Sequence, residues 1–221
     1  MKRLYDNKID KQILCNAALR LDLSFYQRNN VQHIAKELLG KILVTRFNNI
    51  VTAARVVETE AYNGLIDKAS HAFGGRRTKR TEIMYRQGRI AYIYLCYGIH
   101  YLFNVVTNIE DVPHAVLIRA AEPVSGTETM MERTGKPHPG ETITKGPGNL
   151  ARALGINRQH NGMGLLSHEI YFIDDGYKLE TNKIISSPRI GVAYAAEDAL
   201  LPYRYYIKGN VFVSGKRISE R

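Results

Sequence analysis

The sequence predicts an α+β fold, a single domain over residues 1–221 in which a curved, mainly antiparallel β-sheet is flanked by short helices. Three observations lead there. The β-rich runs are short and are joined by Gly, Asn, Pro and Asp turn residues, which favours hairpins and antiparallel pairing. Helical periodicity is confined to brief segments. No repeat, low-complexity stretch or linker splits the 221 residues, a length sufficient to bury about 70% of the surface that the unfolded chain exposes.

The elements follow in order. Residues 1–20 are mixed and polar and read as an arm or short helix packed on the body. In NVQHIAKELLGKILV, the residues Val31, Ile34, Ala35, Leu38 and Leu39 recur at helical spacing, and Gly40 is a natural terminator. Ile42–Phe47 and Val51–Val57 are β-rich and are joined by Asn48-Asn49, a pair that tolerates the left-handed backbone of a tight hairpin turn. A polar loop is expected from Glu58 to Arg89, and a loop of that length in a compact domain is a place to look for function. The β pattern resumes at Ile90–Leu95, turns at Tyr97-Gly98, returns through His100–Val105 and recurs at Ala115–Ala121. Short helices are expected at Gly126–Arg133 and, after the breaker Gly146-Pro147-Gly148, at Asn149–Leu154. Ile170–Ile173, Arg189–Tyr194 and Asn210–Ser214 complete the set as short strands.

Composition narrows the function. With 44% hydrophobic and 24% charged residues the chain is neither disordered nor collagen-like. No apolar run approaches the roughly 20 residues of a membrane span, and MKRLYDNKID lacks the apolar core of a signal peptide, so a cytoplasmic protein without membrane contact is expected. Cys15 and Cys96 form no CxxC pair and read as reduced thiols. The 31 Lys and Arg against 21 Asp and Glu give a net charge of +10, which favours a polyanionic partner, nucleic acid foremost.

The densest chemistry lies in VVETEAYNGLIDKASHAFGGRRTKR, residues 56–80. Glu58 and Glu60 are spaced i, i+2 beyond a β run, so an extended backbone points both to one face, and Tyr62 shares that parity if the strand continues. Either carboxylate is a candidate general base. The plainer alternative is a pair of solvated edge charges. His71 stands alone and reads on its own as a surface or hydrogen-bonded structural residue. No HxxxH pair accompanies the remaining histidines, so neither a catalytic metal nor any other cofactor is expected. Arg76, Arg77, Lys79 and Arg80 follow Gly74-Gly75 and suit phosphate contacts as well as a merely solvated loop. Lys145-Gly146-Pro147-Gly148 lacks the order of a nucleotide-binding phosphate loop. Tyr92, Tyr94, Tyr97 and Tyr101 crowd around a Gly turn, which suits sheet-edge packing and an aromatic slot for a planar base equally.

Taken in sequence, LDLSFYQRNNVQHIAKELLGKILV, ETEAYNGLIDKASHAFGGRRTKR, YIYLCYGIHYLFNVVT, VLIRAAEP and KGPGNLARALGI resemble the 3-methyladenine (alkylpurine) DNA glycosylase family over most of the chain. The resemblance implies an enzyme that flips a damaged purine out of duplex DNA and hydrolyses its N-glycosidic bond, leaving an abasic site for base excision repair. It implies that Glu60 is the general base and Arg119 its water-positioning partner. Tyr62, His71 and Tyr94 would line the base pocket, and Asn104 would form its floor and obstruct the exocyclic amine of guanine. Tyr97 would be the wedge that fills the vacated stack, with Gly98 permitting the turn and Ile99 beside it on the DNA. Thr81 stands where vertebrate members have Asn, and Ile99-His100 replace Met-Tyr.

The expected partner is therefore double-stranded DNA containing damaged purines, bound by a monomer. Three alternatives remain from the residues alone: a non-catalytic nucleic-acid-binding module, a formyl or acyl transferase of similar architecture, and a glycosylase/lyase that uses Lys68 as an amine nucleophile.

Overall fold

The computed structural model describes residues 11–215 and shows an open, eight-stranded antiparallel sheet with short helices, the α+β architecture expected. Its strands are β1 (Ile42–Phe47), β2 (Ile50–Tyr62), β3 (Ile90–Cys96), β4 (His100–Thr107), β5 (His114–Ser125), β6 (Ile170–Ile173), β7 (Ile184–Ser187) and β8 (Arg204–Ile207). The main order is β3-β4-β5-β2-β1-β6, and β8 joins the far half of β2 with β7 outside it. The helices are α1 (Lys11–Cys15), α2 (Leu23–Tyr26), α3 (Val31–Glu37), α4 (Thr127–Thr134) and α5 (Pro147–Ala153).

Local chemistry explains the junctions. The Asn30 side chain accepts the His33 N–H at 2.9 Å and caps α3. The β1–β2 turn places Asn48 and Asn49 at φ 51° and 63°, the doubly left-handed geometry that matches the twist of the flanking strands. Val31, Ile34 and Ala35 of α3 and Leu38 at its C-terminal cap are buried on the sheet, each large aliphatic side chain contributing about 1.5–3 kcal/mol by leaving water. From β2, the Thr59 hydroxyl donates to the Ala35 carbonyl at 2.9 Å. Thr59 thus faces α3, and its neighbours Glu58 and Glu60 point to the opposite side of the sheet. At the β3–β4 end of the sheet, α5 approaches β4 so closely that a Cβ at Gly148 would lie 2.7 Å from the His100 ring.

The structure corrects several boundaries. The polar loop does not begin at Glu58, because β2 runs on to Tyr62, paired with β5 along its length and with β8 at Glu58–Glu60. Register shifts between Val56 and Thr59 mark a bulge there, the usual device for re-aiming side chains. Arg189–Tyr194 and Asn210–Ser214 are not strands. Backbone donors in both are taken by carboxylates instead of a neighbouring strand: Ile190 N–H by Glu60 and Ser214 N–H by Glu58. β7 and β8 were not anticipated, although the run YRYYI has the aromatic and β-branched composition of a strand. Of the N-terminal arm, residues 1–10 lie outside the described residues. Its remainder includes α1, which is held by buried Leu14 and by the Tyr171 hydroxyl donating to the Leu14 carbonyl at 2.9 Å.

Candidate active site

Glu58 and Glu60 are both fully buried, which overturns the reading of solvated edge charges. Burying two carboxylates is tolerable only where cations and donors replace water. Glu58 Oε1 accepts from Arg119 Nε at 3.1 Å and Arg204 Nε at 2.6 Å, and its Oε2 accepts the Ser214 N–H at 2.7 Å. Arg119 Nη1 then lies 3.3 Å from Glu60 Oε1, so one guanidinium spans both carboxylates. Burial opposes the charge of Arg119, but Glu60 and Glu58 more than offset it and its pKa is raised.

Glu60 is held by one cation where Glu58 is held by two. Its Oε1 accepts the Ile190 N–H at 2.8 Å and its Oε2 accepts the Tyr62 hydroxyl at 2.8 Å. Burial first, and Glu60 next, hold the Tyr62 pKa well above its ordinary value, so the phenol remains a donor. A carboxylate offers about four lone-pair directions. With Ile190, Tyr62 and Arg119 engaged, Glu60 keeps acceptor capacity for a proton-bearing ligand.

Beside this centre is an aromatic slot. Tyr62, His71, Tyr92, Tyr94, Asn104 and Tyr194 line a cavity of about 30 Å³, which opens into a cleft of about 630 Å³ bordered by Arg119 and the β3–β4 hairpin. As it stands the cavity has room for a water or two rather than a purine. His71 and Tyr94 meet edge to face with centroids 4.7 Å apart, a favoured aromatic geometry. The Asn104 amide nitrogen donates to the carbonyls of Tyr92 and Leu102 at 3.1 and 3.4 Å, which fixes the amide in the floor. His71 is pushed down to about 4 by burial and by the charges of Arg80 and Arg76, and is therefore neutral near pH 7. Arg80 can only donate to His71 Nε2, at 3.2 Å; Nδ1 therefore bears the ring proton and donates to the Tyr92 hydroxyl at 2.8 Å.

At the mouth of the cleft the β3–β4 turn exposes Tyr97 by 86% and Ile99 by 72%. Tyr97 and Gly98 have φ of 51° and 73°. Gly98 adopts this conformation freely, whereas Tyr97 does so against its own Cβ, and such strain concentrates at functional positions.

The four cations of the loop do not act as one patch. Arg77 forms a forked pair with Glu82 at 2.8 and 3.0 Å and reaches Asp111 at 2.7 Å. Arg80 turns back over the slot, 4.9 Å from the Tyr94 ring centre. Arg76 and Lys79 are exposed. Sequence reasoning missed the supporting groups Asp67, Arg189, Arg204 and Ser214, and also Tyr194 on the slot wall. None sits in a local motif; the one available signal was Pro188-Arg189-Ile190-Gly191, where a cation interrupts an apolar run. KGPG, set aside as a phosphate loop, supplies Lys145 to Gly148 along the cleft wall. Among the described residues no three His, Cys, Asp or Glu side chains are grouped to hold a metal ion, and no helix is long and apolar enough to cross a membrane.

Comparison with known proteins places this chain in a family. A protein of Natranaerobius thermophilus is 42% identical over 197 residues, covering 89% of this chain and 99% of its own length. One of Clostridium acetobutylicum is 44% identical over 203 residues, covering 89% and 98%. One of Chlamydia felis is 44% identical over 185 residues, covering 83% and 94%. All three carry the provisional name of 3-methyladenine DNA glycosylase. Residues 24–211 match the family described as Methylpurine-DNA glycosylase (MPG), and the chain belongs to that family.

Proposed function

We propose that this protein is a DNA glycosylase, a hydrolase of N-glycosyl bonds that removes alkylated purines of the 3-methyladenine type from duplex DNA and leaves an abasic site. The observation that carries this reading is the buried Glu60–Arg119 pair lying between an aromatic slot and an exposed aromatic hairpin tip. The slot is walled by tyrosines, whose electron-rich faces attract a planar cation. A purine alkylated at N3 is such a cation.

In the proposed reaction the target nucleotide leaves the stack and its base enters the slot between Tyr62 on one side and His71 and Tyr94 on the other, above Asn104. Tyr97 fills the gap, and Gly98 and Ile99 hold the tip against the duplex. A water hydrogen-bonded to Glu60 and oriented by Arg119 attacks C1′, and Glu60 takes its proton. The C1′–N bond breaks with its electron pair passing to the purine, which neutralises the ring charge. No general acid is then required, consistent with a neutral His71.

Lys68 does not suit an amine nucleophile. It is half-buried, paired with Glu197, and its pKa is raised through that hydrogen bond, so the amine stays protonated. A hydrolytic enzyme without a Schiff base is the reading that remains.

The test is single-turnover excision from duplexes carrying one defined lesion, read by alkali cleavage of the abasic site. Glu60→Gln should retain lesion binding and lose roughly 10²-fold or more in rate, the usual scale of general-base removal. A near-normal rate would remove Glu60 from the chemistry, and absence of excision of every alkylated purine by the unaltered protein would overturn the function.

A further inference from the structure

One buried ion pair away from the reacting atoms is built around Glu60. Arg189 and Asp67 have side chains 0% and 1% exposed. Their fork-to-fork contact pairs Arg189 Nη1 with Asp67 Oδ2 at 2.5 Å and Nη2 with Oδ1 at 2.8 Å. The same guanidinium donates to the Ala61 carbonyl at 2.9 Å and the Asp198 carbonyl at 3.1 Å. Asp67 in turn accepts the N–H groups of Asn63 and Ala69, each at 3.0 Å.

Three chain segments are therefore joined at one planar cation: the end of β2, the loop after it, and the irregular segment 188–200. Each joint adjoins a group that touches Glu60 or the slot. Ala61 separates Glu60 from Tyr62. Ile190, next to Arg189, donates its N–H to Glu60 Oε1. The Arg189 guanidinium also lies 4.9 Å from the centre of the Tyr62 ring, whose hydroxyl donates to Glu60 Oε2. Both donors that orient Glu60, apart from Arg119, thus sit on backbone that this pair anchors.

We infer that Arg189 and Asp67 are positioning residues for hydrolysis: the pair holds Ile190 and Tyr62 so that Glu60 presents a correctly aimed carboxylate to the attacking water. This rests on the proposed role of Glu60 as base. A buried pair is poorly explained by stability alone, since well-packed apolar residues commonly do as well. Lysine cannot reproduce the fork, so Arg189→Lys retains the charge while losing the two-pronged hold. Glu60 is also faced by Arg119 from β5, Glu58 and Tyr62 from β2, Arg204 from β8 through Glu58, and Tyr194 from segment 188–200. All of them are unchanged in that variant.

The experiment uses the full chain and a duplex with one 3-methyladenine-type lesion. It measures lesion-duplex affinity, the single-turnover rate and melting temperature. Arg189→Lys should keep affinity within about twofold and lower the rate about tenfold or more, on the scale expected for misplaced catalytic groups. In a Glu60→Gln background Arg189→Lys should cost almost nothing further, as expected of residues acting through one group.

An unchanged rate in Arg189→Lys, or a rate loss of equal size in the Glu60→Gln background, overturns the inference while leaving Glu60 as base. Normal activity of Glu60→Gln alone instead overturns the underlying role. Should Arg189→Lys not fold, Asp67→Asn, which keeps one acceptor oxygen for either the Asn63 or the Ala69 N–H, carries the same measurements. Loss of folding in both variants assigns the pair to the fold alone.

Discussion

Glu58 and Glu60 are two residues apart on one strand, equally buried, and held in different ways. Glu58 is enclosed by two arginines and a backbone N–H. Glu60 has one arginine at 3.3 Å and two neutral donors, and it adjoins the cleft through Arg119, Tyr62 and Ile190. Under the proposed mechanism the pattern separates their roles: Glu58 orients Arg119, and Glu60 is the base. Glu58→Gln should therefore reduce stability by about 3–5 kcal/mol, the cost of leaving buried cations without their anion. Glu60→Gln, at the cleft, should cost less. Thermal or urea unfolding of the two variants checks the order, and equal losses would remove the distinction.

The β3–β4 hairpin depends on its three-residue tip. β3 and β4 pair without a register shift from Ile90↔Val106 to Cys96↔His100, which makes a stiff base for Tyr97. An exposed Tyr97 in a left-handed conformation gains nothing from the fold, so the tip is suited to act on a partner. Tyr97→Ala should leave stability within about 0.5 kcal/mol, as for an exposed side chain with no packing role. It should lower the preference for lesion over undamaged duplex, because a wedge stabilises only the extruded state. A 2-aminopurine beside the lesion reports the unstacking by fluorescence. Unchanged fluorescence and unchanged preference would take Tyr97 out of the mechanism. At the same scale, the extension of β2 to Tyr62 decides the site: it puts Glu58, Glu60 and Tyr62 on one face, as the parity of the motif required once the strand continued.

At the scale of the whole molecule, the charge of +10 sets affinity for DNA more than it sets the fold. The slope of log affinity against log salt should be steep, with about 0.9 lost from it for each phosphate contact removed. Arg76→Gln with Lys79→Gln should flatten that slope by up to about 2. Arg77→Gln should barely change it, because Arg77 already faces Glu82 and Asp111. Equal effects from the two variants would show that those ion pairs open on DNA.

By itself the sequence determined the features that are local. Helical periodicity with Asn30 and Gly40 marked α3, Asn48-Asn49 marked a hairpin, and ETEAY marked the acidic strand end, because spacing and backbone preference act over a few residues. It also carried the candidate groups Glu60, Arg119, Tyr62, His71, Tyr94 and Asn104, which the fold brings to one slot and cleft. Only the tertiary structure decided what surrounds them. Arg189 meets Asp67 across 122 positions, and Arg204 meets Glu58 across 146. Arg77 and Arg80, adjacent to free cations in sequence, are diverted by Glu82, Asp111, His71 and Tyr94. The physical reason is the cost of burying charge. A carboxylate enclosed in a sheet draws donors from wherever the chain can supply them, even from backbone that would otherwise form strands, and that demand has no period or spacing to read along the sequence.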